Sequence, residues 1–187
     1  MTADEKWMSL ACDEALKALG KTTPNPLVGA VAVKNGKLLS KGYHHKAGLA
    51  HAEVDCLKDG INFTNATVYV TLEPCSTHGR TPPCTQKLID KKISRVVIGT
   101  LDPNPDHAGE AVEILKNAGI KVDYNILADR WWKMNLAFFK WIVYKKPYVI
   151  LKMAMTLDGK IATKEGQSKW ITGPDAREEV QTLRKWC

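Results

Sequence analysis

His51-Ala52-Glu53 stands upstream of two Pro-Cys pairs, Pro74-Cys75 and Pro83-Cys84. One imidazole and two thiolates are zinc ligands, and three protein ligands leave the fourth corner of a tetrahedral ion open to water. Zinc in such a site lowers the pKa of its water to about 7. Glu53, two residues beyond the His, is placed to take that water's proton, deliver it to a ring nitrogen and later protonate a departing amine. The chemistry is hydrolytic removal of an amino group from a heterocycle. A neutral imidazole with two thiolates also leaves the zinc site near zero net charge. A closed structural site with a fourth protein ligand, His78 foremost, is the competing reading, and it gives Glu53 no role.

The spacing of the cysteines carries more. Many base deaminases use Cys-x-x-Cys. Here Ser76-Thr77-His78-Gly79-Arg80-Thr81-Pro82-Pro83 intervenes. A loop of that length projects from the metal and returns through stiff prolines. It offers hydroxyls, an imidazole, a guanidinium and backbone donors around Gly79, the groups that a phosphate needs. The plain alternative is a surface loop with one Arg.

The surrounding pattern supplies elements to hold these residues. Residues 4–19 read as a helix, with Trp7, Met8, Ala11, Ala15 and Leu19 on one face. Val28–Val33 and Lys37–Gly42 read as strands joined by an Asn35-Gly36 hairpin turn. Ala52–Lys58 reads as a helix with His51 and Glu53 at its entry. Thr67–Leu72 and Arg95–Thr100 are β-branched strands, and Cys84–Lys91 is a helix between them. Helix N-termini favour thiolates and bound anions. Glu110–Asn117 is a helix and Ile120–Tyr124 a strand. Leu127–Tyr144 reads as one long helix whose aromatics (Trp131, Trp132, Phe138, Phe139, Trp141) suit core packing. Strands alternating with helices after an opening hairpin predict an α/β domain with a mixed sheet. Lys145-Lys146-Pro147 ends it. Tyr148–Met155 then reads as an apolar strand and Pro174–Trp186 as a helix, too little to bury their apolar faces alone.

The chain has 187 residues and a formal charge of +7. Residues 1–128 carry 15 Lys and Arg against 14 Asp and Glu, and residues 129–187 carry 12 against 6. The excess lies away from the metal motif, which argues for a solvated basic face and against a nucleic-acid partner. No apolar run is long enough to span a bilayer, so no membrane partner is expected. The opening residues lack a signal peptide's pattern, which makes a cytoplasmic setting the expectation. Five cysteines give no disulfide framework, and Cys12 and Cys56 read as small buried apolar residues. The aromatic helix and the short second segment leave apolar surface that invites homo-oligomerisation.

Glu73-Pro74-Cys75-Ser76 and Gly79-Arg80-Thr81-Pro82-Pro83-Cys84 closely resemble the deaminase half of the bifunctional riboflavin-biosynthesis deaminase–reductase family. So do Thr23-Pro24-Asn25-Pro26-Leu27-Val28-Gly29, His51-Ala52-Glu53 and Asp102-Pro103-Asn104-Pro105. The resemblance implies a cytidine-deaminase-like fold over residues 1–146. It implies deamination of 2,5-diamino-6-ribosylamino-4(3H)-pyrimidinone 5′-phosphate to the 5-amino-uracil counterpart, with release of ammonia. It assigns one zinc ion to His51, Cys75 and Cys84, and proton transfer to Glu53. Asn25, pinned between prolines, matches the residue that reads the pyrimidine; a rigid amide both donates and accepts at one base edge. Arg80 and Asn104 match phosphate- and ribose-side positions, with Ser76, Thr77 and His78 in the same substrate loop. Where the family has His after Cys-Ser, this chain has Thr77 and then His78, so that phosphate contact is lost, taken by Thr77 or shifted to His78. The family also favours a second Gly where this chain follows Gly109 with Ala111. Residues 147–187 resemble the opening of the family's dihydrofolate-reductase-like, NADPH-dependent domain. Most of that domain is missing here, so no reductase activity is expected.

Overall fold

The structure, a computed structural model, describes residues 1–77, 82–104 and 107–185. Residues 1–147 form one compact unit and residues 148–187 another. In the first, β1 (Gly29–Lys34) and β2 (Lys37–Tyr43) form the hairpin, and β3 (Thr67–Leu72), β4 (Arg95–Thr100) and β5 (Lys121–Tyr124) follow. The sheet order is β2-β1-β3-β4-β5, with β1 antiparallel to both neighbours and β3, β4 and β5 parallel. This is the mixed sheet that the sequence pattern calls for.

Alternation along the strands sorts side chains into two cores. Ala30, Ala32, Val68, Val70, Val96 and Ile98 face α2 (Ala52–Cys56), α3 (Cys84–Asp90) and α4 (Glu110–Asn117), meeting Ala52, Cys56, Leu57, Leu88, Val112 and Leu115. Val31, Val33, Tyr69 and Val97 face the other way, against Met8 and Ala11 of α1 (Ala3–Leu16). The parallel strands need crossovers, and α3 and α4 supply them. Every crossover therefore delivers a strand's carboxyl end and a helix's start to the same edge of the sheet. That edge also receives the residues before β1 and after β2, because β1 runs against β3.

A close approach sets the distance of α2 from the sheet. At Gly42 an added Cβ would lie 2.3 Å from the Cys56 backbone nitrogen, so only glycine lets α2 lie down on β2. Cys12 and Cys56 are buried as small core residues.

The expected single helix over 127–144 is two. α5 (Ala128–Met134) and α6 (Leu136–Tyr144) are separated by Asn135, whose φ of −124° leaves the helical region. Core packing holds for Trp131, which is fully buried, but α6 buries no residue and Trp141 is 53% exposed. In the second unit, Tyr148–Met155 forms no strand, because a strand needs a ladder partner and none pairs with it among the described residues. α7 (Pro174–Arg184) is its one helix among the described residues, and Arg177 anchors it by donating to the Thr172 carbonyl at 2.6 Å and lying 4.3 Å over the Trp170 ring.

Gly42→Ala is expected to cost about 1–3 kcal/mol, the penalty of overpacking a rigid contact, read as a lower denaturant midpoint with unchanged slope. A variant as stable as the parent would show that α2 has room to retreat.

Candidate metal centre

His51 sits at the N-cap of α2 with extended backbone angles. Cys75 lies just past the end of β3, and Cys84 opens α3. The His51 ring nitrogens and the two sulfurs supply three ligand atoms that all lie within 4.8 Å of one another. Cys84 Sγ is 3.4 Å from His51 Nδ1. Bonds of about 2.3 Å to sulfur and about 2.0–2.1 Å to nitrogen, meeting at a tetrahedral angle, set such atoms about 3.5 Å apart. The donor set and its spacing fit zinc.

The two thiols oppose one another's ionisation. The Cys84 thiol donates to the Cys75 sulfur, which holds Cys75 far below the usual thiol range and drives Cys84 above it. The Cys84 backbone N–H also donates to Cys75 Sγ at 3.3 Å. The hydrogen bond to Cys75 raises the His51 pKa against the opposing effect of burial. A divalent cation removes the conflict, because both sulfurs can then ionise and the imidazole can stay neutral.

Glu53 projects from the first turn of α2 and is 3% exposed. Burial pushes its carboxyl up to about 7. It lines a cavity of about 380 Å³ together with Asn25, His44, His51, Cys75, Ser76, Thr77 and Asp102. The structure thus brings Asn25, Ser76, Thr77, Glu53, His51 and Cys75 to one pocket, with Cys84 buried behind it. Ser76 Oγ donates to the Glu110 carboxylate at 2.6 Å. Asn104 lies on the loop after β4, and its N–H donates to Asp102 Oδ1 at 2.8 Å. His78 and Arg80 fall outside the described residues.

Residues to which the sequence reading gave no site role also line the pocket, among them His44, Glu73, Asp102, His107 and Phe138. His44 is 3% exposed, and its Nδ1 lies 3.0 Å from the Ala50 carbonyl, which can only accept, so Nδ1 carries the hydrogen. Burial depresses its pKa and keeps the ring neutral. Its Nε2 then accepts from Asn25 Nδ2 at 3.1 Å. That bond turns the Asn25 amide so that its carbonyl oxygen and second N–H remain for a ligand. The sequence offers only His44-His45 as a hint, and the pair does not say which ring faces inward.

The loop carrying Asn25 is held from below by Asn135. Its Oδ1 accepts the Leu27 N–H at 2.7 Å, and its Nδ2 donates to the Leu27 and Trp131 carbonyls, each at 3.2 Å. The helix break that the sequence hid is therefore an amide bracing the pocket wall.

Residues 1–100 match the family described as "Cytidine and deoxycytidylate deaminase zinc-binding region". The chain belongs to that deaminase family. Its residues 147–187 match the "RibD C-terminal domain". The chain is 51% identical over 183 residues to the riboflavin biosynthesis protein RibD of Aquifex aeolicus, covering 97% of this chain and 51% of the relative. Among solved structures, Acinetobacter baumannii RibD is 47% identical with a TM-score of 0.90, covering 98% of this chain and 52% of that one. The Thermotoga maritima diaminohydroxyphosphoribosylaminopyrimidine deaminase/5-amino-6-(5-phosphoribosylamino)uracil reductase is 45% identical with a TM-score of 0.92, covering 97% and 53%. The deaminase-family chain thus spans about half the length of the curated relatives it matches. Among the described residues, no helix is long and apolar enough to cross a membrane.

Asn135→Leu keeps the volume and removes the brace, leaving the buried Leu27 N–H without its acceptor. A stability loss of about 1–3 kcal/mol is expected, measured by denaturant unfolding; no loss would mean that the Leu27 backbone finds water instead.

Proposed function

We propose that this chain is a zinc-dependent hydrolytic deaminase of 2,5-diamino-6-ribosylamino-4(3H)-pyrimidinone 5′-phosphate. The observation that carries the reading is a buried carboxylate, Glu53, two residues from the ligand-bearing His51 and facing the same cavity. Similarity to the RibD proteins supports the choice of substrate, and the long loop between the cysteines supports a phosphorylated one.

His51, Cys75 and Cys84 hold the zinc ion. Bound there, zinc supplies Lewis acidity and lowers the pKa of a coordinated water to about 7. The chain's own residues do the rest. Glu53 accepts the proton of the attacking water and passes it to a ring nitrogen adjacent to the amino-bearing carbon. It then takes the proton of the hydroxyl now bonded to that carbon and delivers it to the amine, which leaves as ammonia as the ring carbonyl forms. A carboxyl held near neutrality suits both steps, because it gives up a proton about as readily as it takes one. Asn25, oriented by His44, reads the pyrimidine edge through one acceptor and one donor. Arg80 serves the phosphate, with Thr77 or His78 as the second contact and Ser76 in the same substrate loop, and Asn104 serves the ribose. Reduction of the ribose with NADPH belongs to a complete reductase domain, of which this chain holds the residues 147–187 match.

In an ammonia-coupled assay on this pyrimidine, Glu53→Gln is expected to retain zinc and lose about 10²–10⁴-fold in kcat, the range for a positioned acid–base group. Full turnover by that variant would remove Glu53 from proton transfer.

A further inference from the structure

We infer that Glu73 is a positioning residue that fixes the substrate-facing wall of the pocket relative to the metal. It stands between the end of β3 and Pro74-Cys75 and is 6% exposed. A carboxylate at such depth needs partners. Glu73 Oε2 accepts the N–H of Asp102 at 3.1 Å and of Gly109 at 3.0 Å, and Oε1 accepts the N–H of Ala111 at 3.1 Å. No ion pair satisfies it among the described residues; backbone N–H groups do.

Those three donors bracket the segment that carries Asp102, Asn104 and His107. One oxygen grips both ends of the segment, at Asp102 and Gly109. The other reaches into the first turn of α4. The N-cap of that helix is Gly109, whose φ of +85° suits glycine and which has no side chain to cap with. Glu73 is thus the missing N-cap, supplied from another strand, and its negative charge sits at the positive end of the helix dipole. Two pocket-lining groups, Asp102 and His107, lie on the bracketed segment, and Glu73 itself lines the same cavity. A single carboxylate therefore registers the strand that presents Cys75 against the loop that faces the substrate.

The inference rests on the deaminase reading, and its consequence is a division of labour. The ligands and Glu53 act on the reacting carbon. The bracketed segment acts on the rest of the substrate, where contacts are equally strong before and during the reaction. Losing such contacts raises KM and leaves kcat in place.

The test uses the zinc-loaded chain with Glu73→Ala and Glu73→Gln. Glu73→Gln keeps the volume and one acceptor oxygen, so it can retain the Asp102 and Gly109 bonds while placing an amide N–H against the Ala111 N–H. Glu73→Ala is expected to raise KM for the phosphorylated pyrimidine about tenfold or more while kcat changes less than about threefold, with Glu73→Gln between it and the parent. Zinc content stays at the parent level in both. Hydrogen exchange supplies a readout free of turnover: the amides of Asp102, Gly109 and Ala111 lose protection in Glu73→Ala, and that of Ala111 alone in Glu73→Gln. Should Glu73→Ala fail to fold, Glu73→Gln decides. Loss of zinc with a collapse of kcat at constant KM overturns the proposal, placing Glu73 on the metal side. Parent-like KM and exchange in Glu73→Gln overturn it too, leaving Glu73 a filler of volume. A parent chain that releases no ammonia defeats the deaminase reading, whereas unchanged exchange in the variants defeats the bracket.

Discussion

Two sulfurs and an imidazole nitrogen held within 4.8 Å make a demand that the rest of the fold answers. Packed this closely, one thiolate disfavours a second, and burial adds to the cost, so a divalent cation is the natural occupant. The parallel crossover from β3 through α3 brings the start of α3 back beside the end of β3, which is how Cys84 comes to face Cys75. The antiparallel hairpin brings Gly42 under α2, and α2 presents His51 and Glu53 together. The geometry of the centre is thus a property of the sheet's mixed topology, since changing either crossover or hairpin would send one donor to the far edge.

The loops around the centre have irregular backbone near the interior, and irregular backbone must have its polar groups satisfied. Two buried side chains meet that demand. Asn135 takes both polar groups of Leu27 and so steadies the loop of Asn25. Glu73 takes three N–H groups and so steadies the loop of Asp102 and His107. Neither is charged with chemistry itself. Each ties residues that lack secondary structure to the framework of the pocket.

Much of this was legible beforehand. The short apolar runs Val28–Val33 and Arg95–Thr100, the Asn35-Gly36 turn and the helical periodicities up to residue 117 fall within about three residues of the observed elements. Type and spacing pointed to His51, Cys75 and Cys84 as a cluster, which the fold brings together, and to Glu53, which is buried in the adjoining pocket. What stayed hidden was long-range. The apolar period runs straight through Asn135, so nothing local marks a break made for Leu27, 108 positions away in sequence. Tyr148–Met155 has strand composition, but pairing depends on a partner and composition does not supply one. His44, Asp102, His107 and Phe138 come from three separate segments, and only the folded sheet brings them to one cavity.

X-ray absorption at the zinc edge of the loaded chain tests the central claim most directly. The account predicts two sulfur scatterers at about 2.3 Å, one imidazole at about 2.0–2.1 Å and one further light oxygen scatterer without imidazole structure. A second imidazole in place of that oxygen, or a third sulfur, would show the fourth corner closed by protein and would contradict it.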